Sequence, residues 1–240
     1  MIQQPTHGET FDKLVLWDLD HTLLNPAGFG KKSTESAFRQ LFSTEAPDGI
    51  PFAGRTDRAI LSDFITRGAR GREKDQDELQ TLAAELAEER RETFAANGGQ
   101  ALPGALEVLT QLGTETAVIQ SVLSGNLRRI GQIKVDSIGA SALLDLDVAA
   151  FGDHHTVRGD LVQVAATAAK NKYGHTFAGH DIILIGDTPL DIEAALSAGA
   201  TPIGVANGGY TVADLVAAGA SIVLSDLRAP EALLAGVLGT

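Results

Sequence analysis

The 240-residue sequence predicts an α/β fold: a parallel sheet covered by helices on both faces, with an all-helical unit inserted after the first strand. Three observations predict it. A short apolar run, Leu14-Val15-Leu16-Trp17, ends abruptly in Asp18 and is followed by Asn25-Pro26 and glycines, the pattern of a buried strand feeding a loop. From about Ser33 to Asn97, strand-like runs are missing and apolar residues recur at helical spacing. Beyond Asn97, β-rich runs and helical stretches alternate regularly, the sign of parallel strands joined by crossover helices.

Within the helical unit, Ala37/Phe38/Leu41/Phe42, Ile60/Leu61/Phe64/Ile65 and Leu79/Leu82/Leu86 mark three or so helices. Arg67–Asp77 is a charged, glycine-containing break between them, and the run from Glu85 to Glu92 reads as a solvated face. Pro103–Leu112 has a proline just inside its start and reads as a helix. Thr116–Leu123 is β-rich, Asn126–Val135 helical, Asp147–Phe151 a short strand and Gly159–Lys172 helical. Asp181–Ile185 is the clearest strand, with Leu190–Ala198 as its helix. Pro202–Ala206, the helix Val212–Ala218, Ser221–Leu224 and a last helix after Pro230 complete the alternation. The division that follows is an α/β core of residues 11–26 and 100–240, with a helical domain over 27–99.

Composition narrows the function. With 31 acidic against 19 basic residues the net charge is −12, which leaves no excess of lysine and arginine for broad contact with nucleic acid. One pocket can still be locally positive, so a phosphorylated small molecule remains compatible. The absence of cysteine excludes a disulfide framework, a thiolate nucleophile and cysteine-based metal sites. The first dozen residues carry neither a basic nor an apolar leader region, and no apolar stretch approaches the ~18–20 residues that cross a bilayer. A cytoplasmic protein with no membrane partner is the expectation, as a monomer or homodimer.

In an open parallel sheet, ligands bind outside the carboxyl ends of the strands, so the polar residues there matter most. Asp18 and Asp20 lie directly after the first strand, and Asp187 and Asp191 after Asp181–Ile185. A carboxylate is costly to desolvate, and a second beside it repels the first. A hard cation resolves that conflict: Mg²⁺ takes oxygen ligands and commonly uses one or two carboxylates plus a substrate phosphate. The other informative strand ends are Ser124-Gly125-Asn126 and Asp153 to Arg158.

Asp18-Leu19-Asp20-His21-Thr22 resembles the Asp-x-Asp-x-Thr signature of the haloacid dehalogenase-like (HAD) hydrolase superfamily. Gly186-Asp187-Thr188-Pro189-Leu190-Asp191 resembles its Gly-Asp-x-x-x-Asp motif, and Val122-Leu123-Ser124-Gly125-Asn126 its apolar strand ending in Ser or Thr. The placement of the helical insert resembles the cap of the phosphoglycolate phosphatase and β-phosphoglucomutase branch. The resemblance implies a Rossmann-like core and a Mg²⁺-dependent phosphatase acting on a small phosphorylated metabolite. It implies Asp18 as nucleophile, Asp20 as general acid/base, Asp18 and Asp187 as metal ligands joined by the backbone carbonyl of Asp20, and Asp191 as a further ligand or as an anchor behind the ligands. Ser124 is implied to hold a phosphoryl oxygen with the N–H groups of Leu19 and Gly125, while Thr22 braces the loop. Where many relatives carry a Gly-Lys-Pro stretch, His154 to Asp160 has no lysine; Arg158 takes the basic role, with Lys170 and Lys172 as competitors.

Phe52 to Asp57 is similar to the Gly-x-Thr stretch of the branch that faces the active site. Arg55 and Thr56 are therefore candidate substrate contacts, against the alternative of a helix start with Thr56 as cap and Arg55 in solvent. Gly28 to Ser33 fails the spacing of a nucleotide phosphate-binding loop, and His154-His155 reads as surface. A phosphomutase shares the chemistry and stays open. A dehalogenase fits Asp20 and Asp187 less well. A phospho-accepting receiver has neither this length nor a helical insert.

Overall fold

The computed structural model describes residues 11–239. Strand β1 (Lys13–Trp17) alternates its side chains across the sheet, Leu14 and Leu16 into one apolar layer and Val15 and Trp17 into the other. All four are fully buried. Burial of such side chains is worth ~1.5–3 kcal/mol each relative to exposure. The indole N–H of Trp17 is satisfied by Gln120 Oε1 at 3.2 Å, and the Gln120 amide donates in turn to the Leu109 carbonyl at 2.9 Å.

The chain passes through β2 (Leu24–Asn25) into four helices, α1 (Phe29–Phe42), α2 (Asp57–Gly68), α3 (Gln76–Glu89) and α4 (Arg91–Asn97). It returns through β3 (Gln100–Ala101), which pairs antiparallel with β2, so the inserted helices leave and rejoin the sheet through one two-stranded stalk. There follow α5 (Ala105–Leu112), β4 (Val118–Ser124), α6 (Arg128–Ser137), β5 (Ala150–Phe151), α7 (Asp160–Tyr173) and β6 (Ile182–Gly186). The chain ends with α8 (Pro189–Ser197), β7 (Thr201–Val205), α9 (Val212–Ala217), β8 (Ile222–Leu224) and α10 (Glu231–Leu238).

The six-stranded sheet has the order β5-β4-β1-β6-β7-β8, and every pairing in it is parallel. This is the α/β class the sequence predicts. Strand β1 lies centrally, with Trp17 opposite Val122 of β4 on one side and Ile185 of β6 on the other. The strand order reverses at β1, so the carboxyl end of β1 is the switch point at which such sheets open a crevice.

The insert differs from the expectation in detail. It holds four helices, and α1 begins at Phe29 rather than near Ser33, since left-handed Gly28 (φ +71°) turns the chain into it and the small residues Gly30, Ser33 and Thr34 are buried on its inner face. The acidic run around Glu85 straddles the break between α3 and α4. Glu85, Glu89 and Glu92 are exposed, as the reading of a solvated face expects, and the half-exposed Glu88 adds surface pairs with Arg91 at 2.9 Å and Arg129 at 2.8 Å. Among the described residues, no helix is long and apolar enough to cross a membrane.

Candidate active site

Asp18 continues the ladder of β1 for one residue, its N–H donating to the Ile185 carbonyl at 2.9 Å, and then the chain turns. The Leu19 carbonyl accepts from the N–H groups of Thr22, Leu23 and Leu24, and His21 adopts a left-handed φ of 62°. This tight loop presents Asp18 and Asp20 at the strand end. Thr22 braces it through its backbone, while its buried hydroxyl finds no partner. Asp18, Asp20, Ser124, Arg158 and Asp187 all line one cavity of about 290 Å³ between the sheet and the inserted helices.

Oxygen atoms of Asp18, Asp187 and Asp191 lie within 4.8 Å of one another, and all three side chains are buried. One guanidinium faces them. Arg158 Nη2 donates to Asp18 Oδ1 at 2.6 Å and lies 2.5 Å from Asp191 Oδ1, out of line for a hydrogen bond. Burial pushes the Asp18 carboxyl up to about 7 against the pull of Arg158, with Asp191 and Asp20 adding to the rise. Burial likewise pushes Asp187 up to about 9, reinforced by the charges of Asp18 and Asp191 and opposed by Arg158. Burial on its own would pull Arg158 down, but Asp191 and Asp18 beside it drive it above its ordinary value, so it stays charged. Three buried carboxylates against one guanidinium are short of positive charge, and their hard oxygen donors fit a cation such as Mg²⁺.

Asp191 has a second task. It closes a capping box at the start of α8, its Oδ2 accepting from the Thr188 N–H at 3.0 Å and the Thr188 hydroxyl at 2.7 Å. The loop after β7 shapes the other side of Asp187: a Cβ on Gly208 would stand 1.9 Å from Asp187 Oδ2, so any larger residue there would have to displace that carboxylate.

Ser124 ends β4 with its side chain buried beside the cavity, and the Asn126 N–H approaches its hydroxyl at 3.4 Å. The cap segment packs directly on this loop. The Asp57 N–H donates to the Gly125 carbonyl at 2.6 Å, and a Cβ on Gly125 would meet the Arg55 carbonyl oxygen at 2.0 Å. Arg55 borders the cavity, but its guanidinium is held by Asp63 at 2.8 Å and the Pro51 carbonyl at 3.2 Å. Thr56 is buried as the N-cap of α2, its hydroxyl accepting from the Ala59 N–H at 3.2 Å, and it is not part of the cavity lining.

Lys172 pairs with Asp145 and Asp147 at 2.7 and 2.8 Å, and Lys170 stands exposed on α7; Arg158 is the cation at Asp18. Two charged residues that sequence reasoning missed lie beside the site. Lys134 of α6 is wholly buried, with Nζ 2.6 Å from Asp20 Oδ1, 2.6 Å from Asp20 Oδ2 and 2.7 Å from Asn126 Oδ1. Asp57 of α2 is buried and accepts from the Leu127 N–H at 2.8 Å, capping the entry to α6 from another element. Its carboxyl is pushed up to about 6 by burial, against the Leu127 hydrogen bond and the charge of Lys134. The signal for Lys134 was its place on the apolar stripe Ile130/Ile133, where a solvated lysine does not belong.

Fold and site together define an α/β protein with a parallel sheet that gathers buried carboxylates at the carboxyl ends of its strands. The family model for haloacid dehalogenase-like hydrolase matches residues 15–196, and the chain belongs to that family. A HAD hydrolase, family IA, variant 3, from Entamoeba histolytica is similar with a TM-score of 0.69 at 18% identity, over 94% of this chain and 99% of that one. A predicted phosphoglycolate phosphatase from Haemophilus somnus 129PT is similar with a TM-score of 0.67 at 18% identity, over 95% and 99%. A predicted phosphatase from Clostridium acetobutylicum gives a TM-score of 0.66 at 20% identity, over 96% and 100%. No curated protein matches the chain.

Proposed function

We propose that the protein is a Mg²⁺-dependent phosphatase that hydrolyses a small phosphomonoester through an aspartyl-phosphate. The observation that carries this reading is the Asp18 carboxylate at the switch point, 2.6 Å from the Arg158 guanidinium and clustered with Asp187 and Asp191. An Asp18 oxygen attacks phosphorus and the bond to the ester oxygen breaks, while Asp20 gives its proton to the leaving alcohol. Water then attacks the same phosphorus, Asp20 takes its proton, and the electron pair of the breaking bond returns to Asp18 as inorganic phosphate leaves. Ser124 and the N–H groups of Leu19 and Gly125 hold the phosphoryl oxygens, and Arg158 supplies fixed positive charge where negative charge concentrates.

Asp18, Asp187 and Asp191, with the Asp20 carbonyl, would hold Mg²⁺, whose charge allows an anionic nucleophile to approach an anionic ester. Residues 27–99 act as a cap on the core of 11–26 and 100–240, excluding bulk water and selecting the leaving group. Support for a phosphoglycolate- or sugar-phosphate-like metabolite comes from the size of the cavity, about 290 Å³, and from the named relatives.

Purified protein with Mg²⁺ should release phosphate from members of a phosphomonoester panel and stop in EDTA. Asp18→Asn should be inert while keeping the circular dichroism of the wild type. An active Asp18→Asn enzyme removes Asp18 as nucleophile, and an isomeric sugar phosphate in place of free phosphate makes the protein a mutase.

A further inference from the structure

We propose that Lys134 is a positioning residue that holds Asp20 as the proton acceptor for breakdown of the aspartyl-phosphate. The inference rests on the acid–base reading of Asp20 given above. Lys134 is fully inaccessible to solvent, in a helix whose neighbouring inward residues are Ile130 and Ile133. A buried ammonium is strongly disfavoured unless it is paired and its donors are used. Here all three are used: two by the oxygens of Asp20 and one by Asn126 Oδ1. The first turn of α1 roofs the ammonium at Gly30, where an added Cβ would lie 3.6 Å from Nζ.

The consequence for Asp20 is geometric. A carboxylate gripped through both oxygens cannot turn about its terminal torsion, and the side chain is still about one-third exposed to the cavity. Lys134 therefore aims a proton-accepting group at the space above Asp18 without touching substrate. In the second half-reaction a water oxygen bonds to phosphorus, its proton passes to Asp20, and the phosphorus–oxygen bond to Asp18 breaks with its electron pair returning to that carboxylate. Without Lys134 the acceptor swings, and this half-reaction slows. The first half-reaction with an aryl ester is spared, because a nitrophenolate leaves without a proton.

The test is steady-state and burst kinetics of Lys134→Met with p-nitrophenyl phosphate and Mg²⁺. kcat and KM should fall together by about 10- to 100-fold, leaving kcat/KM within about threefold. A burst of about one nitrophenolate per site and a hydroxylamine-sensitive phosphoenzyme should appear. Lys134→Gln, which keeps a donor without the charge, gives a second measurement if the methionine variant does not fold, and should show the same pattern in weaker form. Wild-type kcat, or a lower kcat/KM without a burst, overturns the role. Asp20→Asn in the same assay separates the two readings. If it traps phosphoenzyme while Lys134→Met behaves as wild type, only the role of Lys134 fails; if it turns over normally, the reading of Asp20 fails.

Discussion

Arg158 is asked to do two things with one side chain, and they can be measured apart. Its guanidinium offsets the charge of two buried carboxylates at 2.5–2.6 Å, and it presents the same charge to the cavity that Asp18 lines. Arg158→Ala should therefore lower kcat/KM by about 10²-fold or more, as removal of a fixed electrostatic donor does. It should also cost about 3–5 kcal/mol in denaturant unfolding, because Asp18 and Asp191 are left buried and unpaired. Lys170→Ala, on the exposed face of α7, should change neither quantity. Asp18→Asn shares the loss of activity, because the nucleophile is gone, but has the opposite effect on stability. Burial pushes the Asp18 carboxyl up to about 7, so ionising it is disfavoured in the fold and the uncharged amide should raise the unfolding midpoint at pH 8.

The elements carry the next layer, and Asp57 shows how two of them are joined. It starts α2, yet its carboxylate caps the entry to α6 through the Leu127 N–H. Its folded value of about 6 lies above the ordinary 3.8, so the folded state holds the proton more tightly than the unfolded chain. The stability this confers is present in full below about pH 4 and is lost as pH rises through about 6, a change of at most ~3 kcal/mol at 1.36 kcal/mol per unit. Asp57→Asn keeps an acceptor for Leu127 but cannot ionise. Relative to wild type it should gain ~1–3 kcal/mol between pH 4 and pH 7 in urea unfolding; a flat difference would show that Asp57 ionises without cost. This residue also marks where sequence reading stops. Strands such as Ile182–Gly186 were legible because both faces are buried and the apolar run is unbroken, and Asp18 and Asp187 because a carboxylate directly follows each such run. Lys134 and Asp57 were not, since their roles are set by partners 114 and 70 residues away that only the tertiary fold brings near, the loop after β1 for Lys134 and the turn into α6 for Asp57. For Thr56 the sequence left substrate contact and helix cap side by side, and only the packing decides: it is buried as the N-cap of α2, away from the cavity lining.

For the molecule as a whole, the site is a stored electrostatic cost. The chain carries −12 overall, and at the centre of its sheet it gathers three buried carboxylates around one guanidinium. Asp18 and Asp187, raised to about 7 and about 9, give stability that is complete below about pH 4 and is lost as pH rises toward those values. A divalent cation binding the folded state reverses that loss. It stabilises by RT ln(1 + [L]/Kd), ~2.7 kcal/mol at a hundredfold excess over Kd, which for a chain of this length raises the midpoint by ~5–10 °C. Because the cation competes with protons for Asp18 and Asp187, the gain from Mg²⁺ should be small at pH 5.5 and grow toward pH 9. Scanning calorimetry with Mg²⁺ against EDTA across that range measures it directly. Asp187→Asn should raise the midpoint in EDTA, by removing a carboxylate that is costly to ionise, and should lose most of the Mg²⁺-dependent rise. A midpoint indifferent to Mg²⁺ at every pH would mean that the carboxylates at the switch point are not a cation site, and the metal would have to be dropped from the proposed chemistry.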